Sequence, residues 1–201
     1  MTQPLVSIII LNYNAGQILL DCFESVIKTN YDNFEIIIVD NASEDKSYRK
    51  CKEKFERTRI IENGKNLGYC EGNNIGIKNA KGEFVVILNP DTTVEPCWLN
   101  ELFSAYNKYG EALYQPKHLS LKEKSIIMST GNMMNVFGFG YAREKGKKDV
   151  NQHDVIEQIG YASGTCLFVP ISVFDKVGLL DPFIFLYHDD LDFGWRSAQL
   201  G

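Results

Sequence analysis

Three carboxylates and a histidine are packed into Tyr187-His188-Asp189-Asp190-Leu191-Asp192, just ahead of Trp195-Arg196. Like charges this close raise one another's pKa, and a carboxylate poised nearer neutrality can serve as a general base. The same residues can instead cap the helix that follows, since acidic side chains favour a helix N-terminus. A second acidic element, Asn89-Pro90-Asp91-Thr92, follows an apolar run. A carboxylate there can hold Mg²⁺ or Mn²⁺, hard ions that prefer oxygen ligands, and so stabilise a departing diphosphate. Taken alone, the tetrapeptide reads more readily as an Asx-type turn leading into a helix near Pro96.

Gly68, Gly72 and Gly76 recur every four residues and line one face of a helix. Glycine costs about 1 kcal/mol in a helix interior, so three together imply close approach of something. Either a diphosphate or ribose comes near, with Asn73 and Asn74 as neutral donors, or the helix packs tightly on a sheet. Neither a P-loop nor a G-x-G-x-x-G loop occurs, which weighs against NTPases and NAD enzymes. His118 and His153 lack partners at ligand spacing and read as surface residues. Gly160-Tyr161-Ala162-Ser163-Gly164 is not G-x-S-x-G, and a serine hydrolase fits poorly.

These residues need a scaffold, and the first half supplies an alternating one. Val6–Leu11, Phe34–Val39, Arg59–Ile61 and Phe84–Leu88 read as strands, the longer ones apolar throughout as in a sheet covered on both faces. Helices are expected from Ile18 to Ile27, Lys46 to Glu56, Tyr69 to Ala80 and, opened by Pro96, through Tyr109. Strands separated by helices predict a largely parallel sheet whose ligand sits beyond the carboxyl ends. Asn12 to Asn14, Asp40-Asn41 and Asn89 to Asp91 fall at those ends and form one polar rim. In the second half, Ile126–Val136 and Thr165–Val169 are candidate strands, Gly138–Gln152 a loop, and 171–177 and Asp192–Leu200 candidate helices.

A chain of 201 residues that is 44% hydrophobic suits one compact domain. The net charge of -5 excludes a partner held by many nucleic-acid phosphates. It also implies that a bound diphosphate needs backbone donors or a metal. The run Leu5–Leu11 is too short to span a membrane and has no basic residues before it. The five cysteines are scattered, with no C-x-x-C pair, which fits a reducing cytoplasm better than a disulfide framework or zinc site.

Taken in order, five segments resemble the family 2, GT-A-type glycosyltransferases, and in particular their rhamnosyltransferase-like branch. They are Val6-Ser7-Ile8-Ile9-Ile10-Leu11-Asn12-Tyr13-Asn14, Ile38-Val39-Asp40-Asn41-Ala42-Ser43, Asn66-Leu67-Gly68-Tyr69 with Gly72-Asn73-Asn74, Leu88-Asn89-Pro90-Asp91, and Asp189-Asp190-Leu191-Asp192. The resemblance implies an α/β fold, a Rossmann-like mostly parallel sheet flanked by helices with a smaller acceptor-side lobe. It implies one domain over 1–201, with a nucleotide-sugar half over about 1–110 and an acceptor half over 111–201. Relatives continue past this point with further helices and a late histidine, so the resemblance also implies a catalytic core shortened at its C-terminus.

The implied activity is inverting transfer of a sugar from a dTDP- or UDP-sugar to a glycan or lipid-linked acceptor in cell-surface polysaccharide synthesis. Asn12, Tyr13, Asn14, Asp40, Asn41, Asn66, Gly68, Asn74 and Asn89 then line the donor nucleotide, and Asp91 holds Mg²⁺ or Mn²⁺. Asp190 is the base, and Gly164, Thr165 and Asp189 lie on the acceptor side. Asn89 replaces the first aspartate of the family's D-x-D, which removes one negative charge near the metal. Asp189 stands where the family usually has glutamate. The implied setting is cytoplasmic, with at most peripheral contact at the inner face of the membrane and a homodimer among the permitted assemblies. Two other classes compete: a non-catalytic nucleotide- or glycan-binding module of the same fold, and a nucleotidyltransferase.

Overall fold

The computed structural model describes residues 3–200. Its centre is a five-stranded sheet of β1 (Val6–Asn12), β2 (Phe34–Asp40), β3 (Thr58–Glu62), β4 (Phe84–Leu88) and β9 (Cys166–Pro170), in the order β3-β2-β1-β4-β9. The first four are parallel and β9 runs antiparallel to β4. Alternation assigns each side chain of β1 to a layer. Val6, Ile8 and Ile10 face a core shared with α1 (Gln17–Val26), α2 (Tyr48–Lys54) and α4 (Trp98–Tyr109). Ile9 faces the other core, beneath α3 (Gly68–Asn79), α5 (Ile171–Val177) and α6 (Asp189–Ala198). Both faces are covered, which is why the strands carry continuous apolar runs.

The strand order fixes where a ligand can sit. From β1 the chain steps outward through β2 and β3, then returns to place β4 on the opposite side of β1. That reversal opens a crevice at the carboxyl ends of β1 and β4. Asn12 to Asn14 and Asn89 to Asp91 flank it.

Four features depart from the sequence reading. The fourth helix begins at Trp98, not at Pro96; Pro96 lies in the preceding turn, where its carbonyl accepts the Asn30 N–H at 2.8 Å. The expected strand over Ile126–Val136 is broken into β6 (Ile127–Ser129) and β7 (Asn132–Met134). Gly131, at φ 122°, makes the corner, and its N–H donates to Ser129 Oγ at 3.1 Å. The expected loop over Gly138–Gln152 contains β8 (Gly140–Ala142), paired with β7, while β5 (His118–Leu119) pairs with β6. The last helix starts at Asp189 instead of Asp192, which puts the carboxylate cluster inside its first turn. No helix among the described residues is long and apolar enough to cross a membrane.

The glycine ladder on α3 is resolved in favour of packing. A Cβ at Gly72 would lie 2.4 Å from Leu11 Cδ1, and one at Gly76 would lie 2.4 Å from Ile9 Cγ2. Gly68, at φ 79°, meets Phe185 at 2.6 Å. The close approach that the glycines demand is therefore to the chain itself. Gly76→Ala is expected to destabilise the fold. Overpacking costs about 1–3 kcal/mol, and the gain in helix propensity recovers only about 1 kcal/mol. Urea denaturation checks this through a lower midpoint at unchanged slope.

Candidate active site

The register of β1 against β2 brings Asn12 opposite Asp40 at the carboxyl edge. Asn12 Nδ2 donates to Asp40 Oδ1 at 2.7 Å and to Ser43 Oγ at 3.0 Å. The Ser43 N–H returns to Asp40 Oδ2 at 2.9 Å, and Ser43 Oγ also accepts the Asn14 N–H at 2.9 Å. The loops after β1 and β2 are thereby tied together. Asn14, at φ 52°, accepts the Glu44 N–H at 2.8 Å, and Tyr13 projects from the rim 54% exposed.

Asn41 extends the network sideways. Its Nδ2 donates to Asn66 Oδ1 at 3.1 Å and to the Gly68 carbonyl at 3.0 Å, and its Oδ1 accepts from Asn63 Nδ2 at 2.8 Å. Asn66 Oδ1 also accepts the Gly68 N–H at 2.9 Å. Asn12, Asp40 and Asn41 are fully buried, so they form the floor of the rim. Asn74 does not reach it. Its side-chain amide is spent on both backbone groups of Leu180, at 2.8 and 3.1 Å.

At the end of β4 the turn is closed by the Thr92 N–H on the Asn89 carbonyl, at 3.2 Å. Backbone makes this turn without the Asp91 side chain, so the Asx-type reading is not realised, and the Asp91 carboxylate stays exposed. Among the described residues no group of three or more His, Cys, Asp or Glu could hold a metal ion. One free carboxylate still suits Mg²⁺ or Mn²⁺, which take one or two protein oxygens and complete their shell with phosphates and water. The fit is to a metal brought with a diphosphate, not to one held by the protein alone.

The acidic cluster divides by environment. Asp192 pairs with Arg196 at 2.8 Å, and Arg196 also donates to the carbonyls of Val177 and Leu179. Asp190 Oδ2 accepts the Gly164 N–H at 3.3 Å, and Oδ1 accepts the Leu191 N–H at 2.8 Å. Burial pushes the Asp190 pKa above its ordinary value, against the pull of these N–H donors. Asp189 lies deeper. Burial first, and the neighbouring Asp190 charge second, raise its pKa to about 6. The helix-start role is met in part: the cap residue His188 makes no side-chain capping bond, while Asp190 Oδ1 takes the first-turn N–H of Leu191. Tyr187 and His188 both hold left-handed backbone, at φ 67° and 64°, to turn the chain into this helix.

Gly164 and Thr165 join the two halves. The Asn89 N–H donates to the Thr165 carbonyl at 3.0 Å while the Gly164 N–H meets Asp190. A cleft of ≈ 1890 Å³ runs from Asn89, Asp91 and Thr165 into the second half, past Gln115, Asn132 and Arg143. A smaller hollow of ≈ 400 Å³ lies between Phe139, Tyr161, Tyr187 and His188.

Sequence reasoning passed over Ser43 and Tyr69 as functional candidates. Both sit inside segments already singled out, Asp40-Asn41-Ala42-Ser43 and Asn66-Leu67-Gly68-Tyr69. It also misplaced His118. This residue is half-buried: its Nε2 is enclosed without a partner among the described residues, and burial drops its pKa to about 4. His153 contacts Glu157 at 3.0 Å.

The fold and the rim together define a GT-A glycosyltransferase architecture. Two solved structures share it. One is the mannosyltransferase PcManGT from Pyrobaculum calidifontis in complex with GDP-Man and Mn²⁺, with a TM-score of 0.72 at 15% identity over 99% of this chain and 53% of that one. The other is S. aureus TarS 1-349, with a TM-score of 0.71 at 16% identity over 96% of this chain and 54% of that one. The sequence profile described as glycosyl transferase family 2 matches residues 7–178, and the chain belongs to that family.

Among curated relatives, the low-salt glycan biosynthesis hexosyltransferase Agl10 of Haloferax volcanii is 26% identical over 96% of this chain and 61% of its own length. Glycosyltransferase GlyG of Streptococcus pneumoniae is 33% identical over 66% and 40%. An N-acetylglucosaminyl-diphospho-decaprenol L-rhamnosyltransferase of Mycobacterium tuberculosis is 26% identical over 83% and 61%. The chain thus spans about two fifths to three fifths of these relatives.

The Asp189 shift has a consequence for stability. Its folded pKa of about 6 lies above the unfolded value of about 3.9, so the folded chain keeps this proton longer. Stability is fully present below about pH 4 and falls as pH rises through about 6. Asp189→Asn removes that slope. Above pH 6 it is expected to be more stable than the parent by up to about 3 kcal/mol, with little difference at pH 4. Denaturant titrations at pH 4, 6 and 8 measure this; equal pH dependence in both proteins would overturn it.

Proposed function

We propose that the chain is the catalytic core of an inverting glycosyltransferase, moving a hexosyl or rhamnosyl unit from a nucleoside-diphosphate sugar to a glycan or lipid-linked acceptor. One observation carries this reading. The adjacent residues Gly164 and Thr165 tie Asp190 to one side and the Asn89 backbone to the other. The end of β4, where a diphosphate would sit, and the base at the start of α6 are thus joined through two consecutive residues, the proximity that in-line displacement at an anomeric carbon requires.

Each residue has a role in that scheme. Tyr13, exposed on the rim, stacks on the nucleoside base. Asn14, Asn66, Gly68 and Asn89 border the nucleotide over the floor made by Asn12, Asp40 and Asn41. Asn74 serves the donor side indirectly, by clamping α3 to Leu180. Asp91 would hold Mg²⁺ or Mn²⁺ against the diphosphate, where the ion supplies charge neutralisation for the leaving group.

Asp190 accepts the proton of the acceptor hydroxyl. That oxygen attacks from the face opposite the diphosphate, which inverts the configuration. Asp189, beneath it, is itself held high by burial and by the neighbouring Asp190 charge. Gly164 and Thr165 border the acceptor.

The hexosyl- and rhamnosyltransferase relatives support the sugar classes, and the solved structures with GDP-Man and Mn²⁺ or with UDP support a nucleotide donor with a divalent ion. The chain is read as one domain with a donor half and an acceptor half, acting in cell-surface polysaccharide synthesis. Its setting is read as the cytoplasmic side of a membrane, which it touches at most peripherally.

A thermal-shift panel of dTDP, UDP and GDP, with and without Mn²⁺, tests the donor side. A matched nucleotide at a hundredfold excess over Kd adds about 2.7 kcal/mol. Asp91→Ala is expected to abolish the Mn²⁺-dependent part of that shift. Mn²⁺ alone is expected to bind at most weakly, because the end of β4 offers it one carboxylate, Asp91. Asp190→Ala is expected to keep nucleotide binding and lose transfer by about 10²–10⁴-fold. Retained turnover in Asp190→Ala would overturn the base assignment. Tight nucleotide binding with no transfer or donor hydrolysis would leave a binding module instead.

A further inference from the structure

Tyr69 connects elements that are distant in sequence. It follows Gly68 in the first turn of α3, and its backbone N–H donates to the Phe185 carbonyl at 2.7 Å, in the segment that leads into α6. Its hydroxyl crosses to the other side and donates to the Gly164 carbonyl at 2.7 Å, over a separation of 95 residues. The N–H of that same Gly164 points at Asp190 Oδ2, 3.3 Å away. Gly164 leaves no slack. An added Cβ would lie 2.8 Å from the Tyr69 hydroxyl and 3.0 Å from Asp189 Oδ2.

Each link is a directional contact between partly or fully buried groups. Tyr69 is half-buried, and the burial that raises its hydroxyl pKa makes loss of the Gly164 partner costly. The start of α3 is anchored in turn by Asn41, on the floor of the nucleotide rim, and by Asn66 beside it. A continuous chain of hydrogen bonds thus runs from the rim, through Tyr69 and Gly164, to the carboxylate of α6.

We infer that Tyr69 is a positioning residue for Asp190, fixing Gly164 through its carbonyl so that the N–H on the other side of the same Cα orients the carboxylate for proton abstraction. This rests on the reading of Asp190 as the base. The groups facing Asp190 are Asp189 and His188 from its own segment, Tyr161 from the stretch before β9, and Tyr69 from α3. Of these, Tyr69 is the one that hydrogen-bonds the residue whose N–H donates to the carboxylate. Tyr69→Phe keeps the ring and removes only the hydroxyl.

Two measurements separate this inference from the functional reading. First, the Asp190 carboxyl is titrated by ¹³C NMR in protein labelled at aspartate Cγ, with its resonance assigned from Asp190→Asn. In Tyr69→Phe the Asp190 titration is expected to move upward, because a looser Gly164 N–H stabilises the carboxylate less. Second, where the donor panel yields a transferred sugar, Tyr69→Phe is expected to lower kcat roughly tenfold or more with donor KM held within about twofold. The rising limb of its pH–kcat profile is expected to shift upward.

Gly164→Ala supplies an independent arm. It is expected to lose less kcat in the Tyr69→Phe background than in the parent, because one of its two clashes is gone. An unmoved Asp190 titration in a Tyr69→Phe protein with parental melting temperature would overturn the inference. Equal losses from Gly164→Ala in both backgrounds would overturn it as well. A shifted titration with no transfer by the parent from any donor would leave the positioning intact and sink the functional reading.

Discussion

Asn12 and Asp40 are buried side by side at the edge of a sheet that is otherwise apolar, and neither can stay there without a partner. The 2.7 Å bond between them meets that demand only because the parallel register aligns the ends of β1 and β2. A slip of one residue would separate the pair and turn every isoleucine of β1 toward the wrong layer. Ser43 fills the remaining valences and draws the two following loops together. The polar rim therefore depends on the hydrophobic register beneath it, and the register is pinned in return by the polar pair.

The second half is held to this rim through α3, by hydrogen bonds between neutral groups. Gly72 and Gly76 let α3 settle onto Leu11 and Ile9, and Asn74 clasps Leu180 from the same helix. Arg196 ties α6 to the carbonyls that follow α5 and takes Asp192 with it. The two remaining carboxylates are left in a partly dry pocket, where burial disfavours ionisation. That is an unfavourable arrangement for a fold and a useful one for proton transfer. Two consecutive left-handed residues, Tyr187 and His188, carry further strain at the same place.

The amino-acid sequence by itself determined the α/β class, the four parallel strands within a residue or two, and their polar carboxyl ends. Long β-branched runs and their polar interruptions are local signals, and they survive tertiary context. It also singled out the tetrapeptides that carry Ser43 and Tyr69. The short pieces of the second half were not legible: β6, β7 and β8 are three residues each, and a corner at Gly131 looks like continuous strand in one dimension.

Only the tertiary structure decided what the ambiguous residues do. The glycine ladder matches a ligand or a neighbouring strand equally well until Ile9 and Leu11 are seen against it. Three aspartates in a row of four residues look alike until Arg196 claims one, and burial with the Gly164 N–H distinguishes the other two. Local sequence records residue type and spacing, whereas desolvation and hydrogen-bond direction arise from partners up to about a hundred residues away. Tyr69 and Gly164, separated by 95 residues, meet only after the chain has folded.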